Sequence, residues 1–224
     1  MLNLLFPKVC SGCSDVLHTN EQVLCADCRH HLPLACFHRN DGDTMRKIFF
    51  GKVKVEDATA LLKFQKRGLT QELMHNLKYR GQQEIGTIFG AWLGLELLES
   101  ASFKNIDMVI PVPLHPHRKR KRGYNQVTKF GQEIAAVLQV PYFEDGLTKI
   151  TKTRSQVFKK RLNRFSSGNG ATDAYRLTDP SVINNKHILL VDDIITTGAT
   201  LENCASILKG ASSVKVSLAT IAIA

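Results

Sequence analysis

Two adjacent carboxylates, Asp192 and Asp193, follow directly on a run of four apolar residues, Ile188 to Val191. Neighbouring carboxylates can accept hydrogen bonds from adjacent sugar hydroxyls, or share a hard cation such as Mg2+. Thr196, Thr197, Gly198, Ala199 and Thr200 come close behind. Small hydroxyl-bearing residues at a helix start, beside unpaired backbone N–H groups, make an anion site that the helix dipole favours. Gly198 lets the backbone approach a ligand closely. Acids and an anion cradle in this order suit a sugar that carries both a phosphate and free hydroxyls. A plain loop with a threonine cap would also fit the pattern.

A second chemical signal lies upstream. Ile110-Pro111-Val112-Pro113-Leu114-His115-Pro116-His117 leads into five consecutive cations, Arg118 to Arg122, and then Gly123-Tyr124-Asn125-Gln126. Five like charges in a row most often form a solvated face. These follow a buried-strand pattern, Met108 to Val112, whose end should share a sheet edge with Asp192. A pyrophosphate leaving the first carbon of a ribose would need such cations, and Arg118, Arg120, Arg122 and Lys78 are candidates to neutralise it. His115 and His117 are candidates for a general base by position only.

The third signal is Cys10-x-x-Cys13 and Cys25-x-x-Cys28, two pairs separated by eleven residues. Each pair can clamp two corners of a tetrahedron, which predicts a structural four-thiolate Zn2+ module of zinc-ribbon type with no open catalytic position. Redox pairs and disulfides are the competing readings. Cys36, His18, His30 and His31 are alternative ligands or surface residues, and Cys204 reads as a small buried hydrophobe.

The elements that position these groups follow from periodicity. A strand is expected over 58–64, helices over 70–79 and 87–98, and a strand over 108–112. A helix over 126–138 should be ended by Pro141, and short strands are expected at 147–150 and from Tyr175. The acidic strand, a helix over 199–209 stopped by Gly210, and a strand over 214–223 complete the pattern. Alternating strands and helices predict an α/β fold with a mainly parallel sheet. The expected organisation is a zinc module over 1–36 with a short helix at 2–6, a linker over 37–53, and the larger domain over 54–224. With 43% hydrophobic and 22% charged residues the chain is globular. It has no apolar run long enough for a membrane span, so no membrane insertion and a cytoplasmic location are expected. A net charge of +10 points to polyanionic partners: nucleic acid, anionic lipid or a phosphate-rich small molecule.

The thirteen residues from Ile188 to Thr200 resemble the 5-phosphoribosyl-1-pyrophosphate (PRPP) signature of type I phosphoribosyltransferases. With the two cysteine pairs, Leu77-Lys78-Tyr79-Arg80-Gly81, the 110–126 block, and Thr153-Arg154-Ser155-Gln156 with Arg161 and Asn163, the chain resembles the ComF/GntX family. That family comprises phosphoribosyltransferase-like proteins associated with competence and DNA uptake. The resemblance implies a type I phosphoribosyltransferase-like sheet behind a zinc module, with Asp192 and Asp193 on the ribose hydroxyls and Thr196–Thr200 on the 5′-phosphate. It also places the strand end at Pro113 and Leu114 on pyrophosphate, with Mg2+ accompanying PRPP. A hood is expected over 149–164, which carries seven Lys and Arg and no acid. Three functions stay open: phosphoribosyl transfer, a non-catalytic accessory that binds single-stranded DNA, and a PRPP-sensing regulator. Competence-machinery proteins are possible partners.

Overall fold

The computed structural model describes residues 7–37, 43–150 and 175–224. The expected helix at 2–6 and most of the expected hood lie outside the described residues. Four strands form one parallel sheet in the order β1-β6-β5-β2, where β1 is Ala58–Lys63, β2 Met108–Pro111, β5 His187–Ile195 and β6 Lys215–Ile223. Two short strands, β3 (Leu147–Lys149) and β4 (Tyr175–Leu177), pair antiparallel beside it. The parallel strands are largely apolar and almost wholly buried because both faces are covered. On β5, Leu189 and Val191 face one core and Ile188 and Leu190 the other.

The first face is covered by α3 (Leu69–Tyr79), α4 (Glu84–Glu99) and α6 (Thr128–Leu138). Leu73 and Leu77, one turn apart on α3, are wholly buried. Helix α4 starts earlier than its periodicity indicates, at Glu84 rather than Thr87. It meets α6 through glycine: a side chain at Gly90 would put its Cβ 2.4 Å from the Phe130 carbonyl oxygen. Helix α6 ends before Pro141 can end it. Gln139 turns left-handed (φ 56°) and returns its N–H to the carbonyls of Ala135 and Ala136. Pro141 instead accepts from Val109 N, so residues 141–143 run alongside β2 and cover that edge.

The second face is covered by α7 (Ala199–Leu208) and by part of the stretch read as a linker. There α2 (Asp43–Arg46) and a 3-10 turn, Lys47–Phe49, bury Met45 and Phe49 in the core. The N-terminal residues also pack closely. Leu24, Cys28 and Leu32 share a core with Leu61, Leu73 and Phe89. The Asn76 side-chain amide donates to the Ser11 carbonyl at 2.8 Å, and residues 33–35 bond to β1. Among the described residues no helix is long and apolar enough to cross a membrane.

Candidate functional site

The acidic pair sits inside a strand rather than after one. Sequence places the end of the strand at Val191; β5 continues to Ile195 because β6 keeps pairing with it, Asp192 opposite Thr220 and Ile194 opposite Ala222. The other neighbour does not continue. The β2–β5 register ends at Pro111–Val191, and the last shared bond runs from Val112 N to Val191 O at 2.8 Å. Pro111 and Pro113 lack the N–H that further pairing needs. The sheet therefore splits at Asp192, and the crevice opens beside it.

That crevice is a cavity of about 280 Å3. Asp193 is 6% exposed and doubly held on its Oδ2, by Lys78 Nζ at 2.9 Å and Gln126 Nε2 at 2.7 Å. Gln126 in turn accepts from Arg122 Nη1 at 2.5 Å. Asp192 is 8% exposed, and its Oδ1 accepts the Asp193 N–H at 2.8 Å. Burial, and then the charge of Asp193, push the Asp192 carboxyl up to about 8, against the pull of Lys78 and Lys149.

The five-cation run is helical. Helix α5 (Pro116–Arg122) has Pro116 in its first turn, His115 capping it through Nδ1, and Gly123 closing it at φ 82°. Arg118 and Arg122, one turn apart, face the crevice with Lys78, Pro113, Leu114 and His115, whereas Arg120 does not line it. The residues after α5 are struts. The Tyr124 hydroxyl donates to the Leu77 carbonyl, and Asn125 Nδ2 donates to the Val112 carbonyl at 3.0 Å. These bonds tie α3, α5 and the β2 exit together around the acids.

Of the predicted anion loop, Thr200 lines the cavity; Thr196, Thr197 and Gly198 form the bend leading into α7, whose first residue is Ala199. Gly198 is left-handed (φ 79°), and a Cβ there would meet Ile48 Cγ2 at 3.0 Å. The buried 45–49 turn thus supports the loop from behind. Sequence reasoning missed Gln126, Tyr175 and the role of Lys149. Lys149 Nζ bonds the Tyr175 hydroxyl at 2.9 Å, and both line the crevice opposite α5. The only hint of Gln126 is its place at the end of the basic block.

The four predicted cysteines converge, with all ligand atoms within 4.8 Å of one another. Cys13 and Cys25 sulfurs are 3.7 Å apart, near the ~3.8 Å edge of a tetrahedron with 2.3 Å metal–sulfur bonds. Cys10 Sγ accepts N–H groups from Gly12 and Cys25 at 3.4 and 3.3 Å. Burial would raise the Cys10 thiol, but backbone N–H groups outweigh it and bring it down to about 7. The set fits one metal ion such as zinc. The second pair opens a helix, α1 (Ala26–His30), capped by Cys25, where a ribbon would have a second hairpin. A larger cavity of about 930 Å3 between this module and α4 is lined by Trp92 and Leu95 and, of the residues singled out in the sequence, by His18 alone.

The family described as phosphoribosyl transferase domain matches residues 127–223. A DNA utilization protein, YhgH of Escherichia coli O157:H7, is 30% identical over 93% of this chain and 88% of its own length. Competence protein F of Haemophilus influenzae is 26% identical over 61% of this chain and 60% of that one. A solved adenine phosphoribosyltransferase from Saccharomyces cerevisiae is a more distant likeness, with a TM-score of 0.41 and 16% identity over 66% of this chain and 72% of that one. The chain belongs to the ComF family, with a phosphoribosyltransferase-type domain behind a four-cysteine cluster.

Proposed function

We propose that the crevice binds PRPP with Mg2+ and transfers its phosphoribosyl group. In that step the bond from the ribose first carbon to pyrophosphate breaks, a bond to the acceptor forms, and pyrophosphate leaves. One observation carries the reading: two buried acids on the unpaired edge of β5 face a ring of cations, Lys78, Arg118, Arg122 and Lys149. Asp192 and Asp193 would receive the ribose hydroxyls, and their carboxylates suit Mg2+. As positive charge grows on the ribose in the transition state, the Asp193 carboxylate, and Asp192 once it has shed the proton that burial lets it keep, would stabilise it. Residues 196–200 would hold the 5′-phosphate through backbone N–H groups and Thr hydroxyls. The turn at Pro113 and Leu114, with Lys78, Arg118 and Arg122, would hold pyrophosphate. Mg2+ would neutralise phosphate charge when bound.

We further propose that Cys10, Cys13, Cys25 and Cys28 hold structural Zn2+ in a module over residues 1–36, ahead of a phosphoribosyltransferase-like domain over 54–224. The names of the relatives support a role in DNA uptake or use, and we place that role in the cytoplasm as part of the same proposal. Titration calorimetry tests the site: PRPP binding should require Mg2+ and disappear in the Asp192→Asn/Asp193→Asn double variant. Unchanged binding would sink the assignment.

A further inference from the structure

The two acids of the crevice are held in different ways. Asp192 Oδ1 accepts a backbone N–H, that of Asp193. Asp193 is held by side chains from distant parts of the chain. Lys78 Nζ, at 2.9 Å, and Gln126 Nε2, at 2.7 Å, reach the same oxygen, Oδ2. Gln126 Oε1 accepts in turn from Arg122 Nη1 at 2.5 Å. Arg122, Gln126, Asp193 and Lys78 thus form one chain of bonds, and the cations at both its ends line the crevice.

Those cations also face the place where pyrophosphate would sit. An ammonium drawn towards phosphate oxygens moves off Oδ2, and a guanidinium drawn the same way releases the Gln126 carbonyl. Asp193 is 6% exposed. A carboxylate so buried, once stripped of its partners, turns away or takes up a proton. Gln126 differs from the two cations in carrying no charge, so pyrophosphate does not compete for it. Its amide has one orientation that both accepts from Arg122 and donates to Asp193, and Arg122 therefore sets which end faces the acid. The side chain is 8% exposed, and its neighbour Asn125 is tied to the Val112 carbonyl at 3.0 Å. The donor is fixed in place from below.

We infer that Gln126 is a positioning residue: it keeps the Asp193 carboxylate turned to the ribose when pyrophosphate draws Lys78 and Arg122 away. An Asp193 that has exchanged a cation for a neutral donor keeps more of its charge for the ribose hydroxyls. Binding at the pyrophosphate end therefore strengthens binding at the ribose end, and the reverse holds by linkage. The inference rests on the proposed function for what fills the crevice, and it deepens that reading by naming how the two ends of PRPP are made to bind together.

Calorimetry on the full chain at constant Mg2+ tests it with three probes: pyrophosphate, PRPP, and 1,4-anhydroribitol 5-phosphate. The last has the ribose hydroxyls and the 5′-phosphate and nothing at the first carbon, so it leaves room for pyrophosphate. In the wild type, saturating pyrophosphate should tighten its binding about tenfold. Gln126→Leu should bring that factor to about one. Gln126→Glu, which keeps the shape and the bond from Arg122 but donates nothing to Asp193, should do the same if the leucine variant fails to fold. Lys78→Met should tighten the sugar phosphate in the absence of pyrophosphate and also abolish the factor. A purely structural role for Gln126 would lower the separate affinities and leave the factor at about ten, which overturns the inference. So does a wild-type factor of one, or weaker binding of the sugar phosphate in Lys78→Met. If the wild type binds PRPP without coupling, the inference alone fails; if it binds no PRPP, the proposed function fails and takes the inference with it.

Discussion

Replacing Asp192 with Asn should remove a pH dependence from the stability of the chain. The Asp192 carboxyl is raised from 3.8 to about 8 by burial and by its neighbour Asp193. Between those values the folded chain keeps a proton that the unfolded chain has shed, so stability falls as pH rises. One proton corresponds to a slope of up to about 1.4 kcal/mol per pH unit. From pH 5 to pH 7 the wild type should therefore lose about 3 kcal/mol that Asp192→Asn keeps. Asn cannot ionise, and its Oδ1 can still accept the Asp193 N–H. His187 works in the opposite sense, because burial lowers its pKa and makes folding dearer in acid. It is present in both chains and cancels in the difference. Urea unfolding at several pH values, followed by the emission of Trp92, the single tryptophan, supplies the curves. The two should meet near pH 4 and diverge towards pH 8. Parallel curves would refute the reasoning, and would mean that Asp192 is ionised in the folded chain at neutral pH.

Gln126→Leu removes the neutral donor that shares Asp193 Oδ2 with Lys78, a buried bond to a charged group; it should cost about 1.5–3 kcal/mol in urea unfolding and weaken PRPP binding. A loss below ~0.5 kcal/mol would show that Lys78 alone satisfies the carboxylate. Metal analysis should find one zinc per chain, and Cys28→Ser should lower both zinc content and melting temperature, because Cys28 lies in the core shared with Leu73 and Phe89. Full stability with no zinc would remove the metal module.

What was legible in the sequence depended on how local each signal is. The acidic strand could be found because a parallel strand covered on both faces reads as an unbroken apolar run. The cysteines could be found because a tetrahedral site fixes their spacing. The end of β5 could not, because it depends on β6 continuing and β2 stopping, and neither is encoded next to Asp193. Gln126 could not be placed for the same reason: it meets Asp193 across 67 positions of sequence. In the stretch after Asn40-Asp41-Gly42, turn residues masked the two apolar anchors, Met45 and Phe49. The α5 helix carried signals that its charge concealed, a Pro at its start and a Gly at its end.

The bond from Asn76 to Ser11 lies two residues before Lys78 on the same helix. A side chain at Gly12 would strike Leu69, the first residue of that helix, at 2.5 Å. A protease cut or an engineered truncation after residue 36 would therefore not release a free-standing piece that carries the crevice. It would strip the cover from Leu61, Leu73 and Phe89 and unmoor the helix whose far end grips Asp193. For anyone trimming this chain, the cysteine end belongs to the same piece of material as the crevice and should be kept with it.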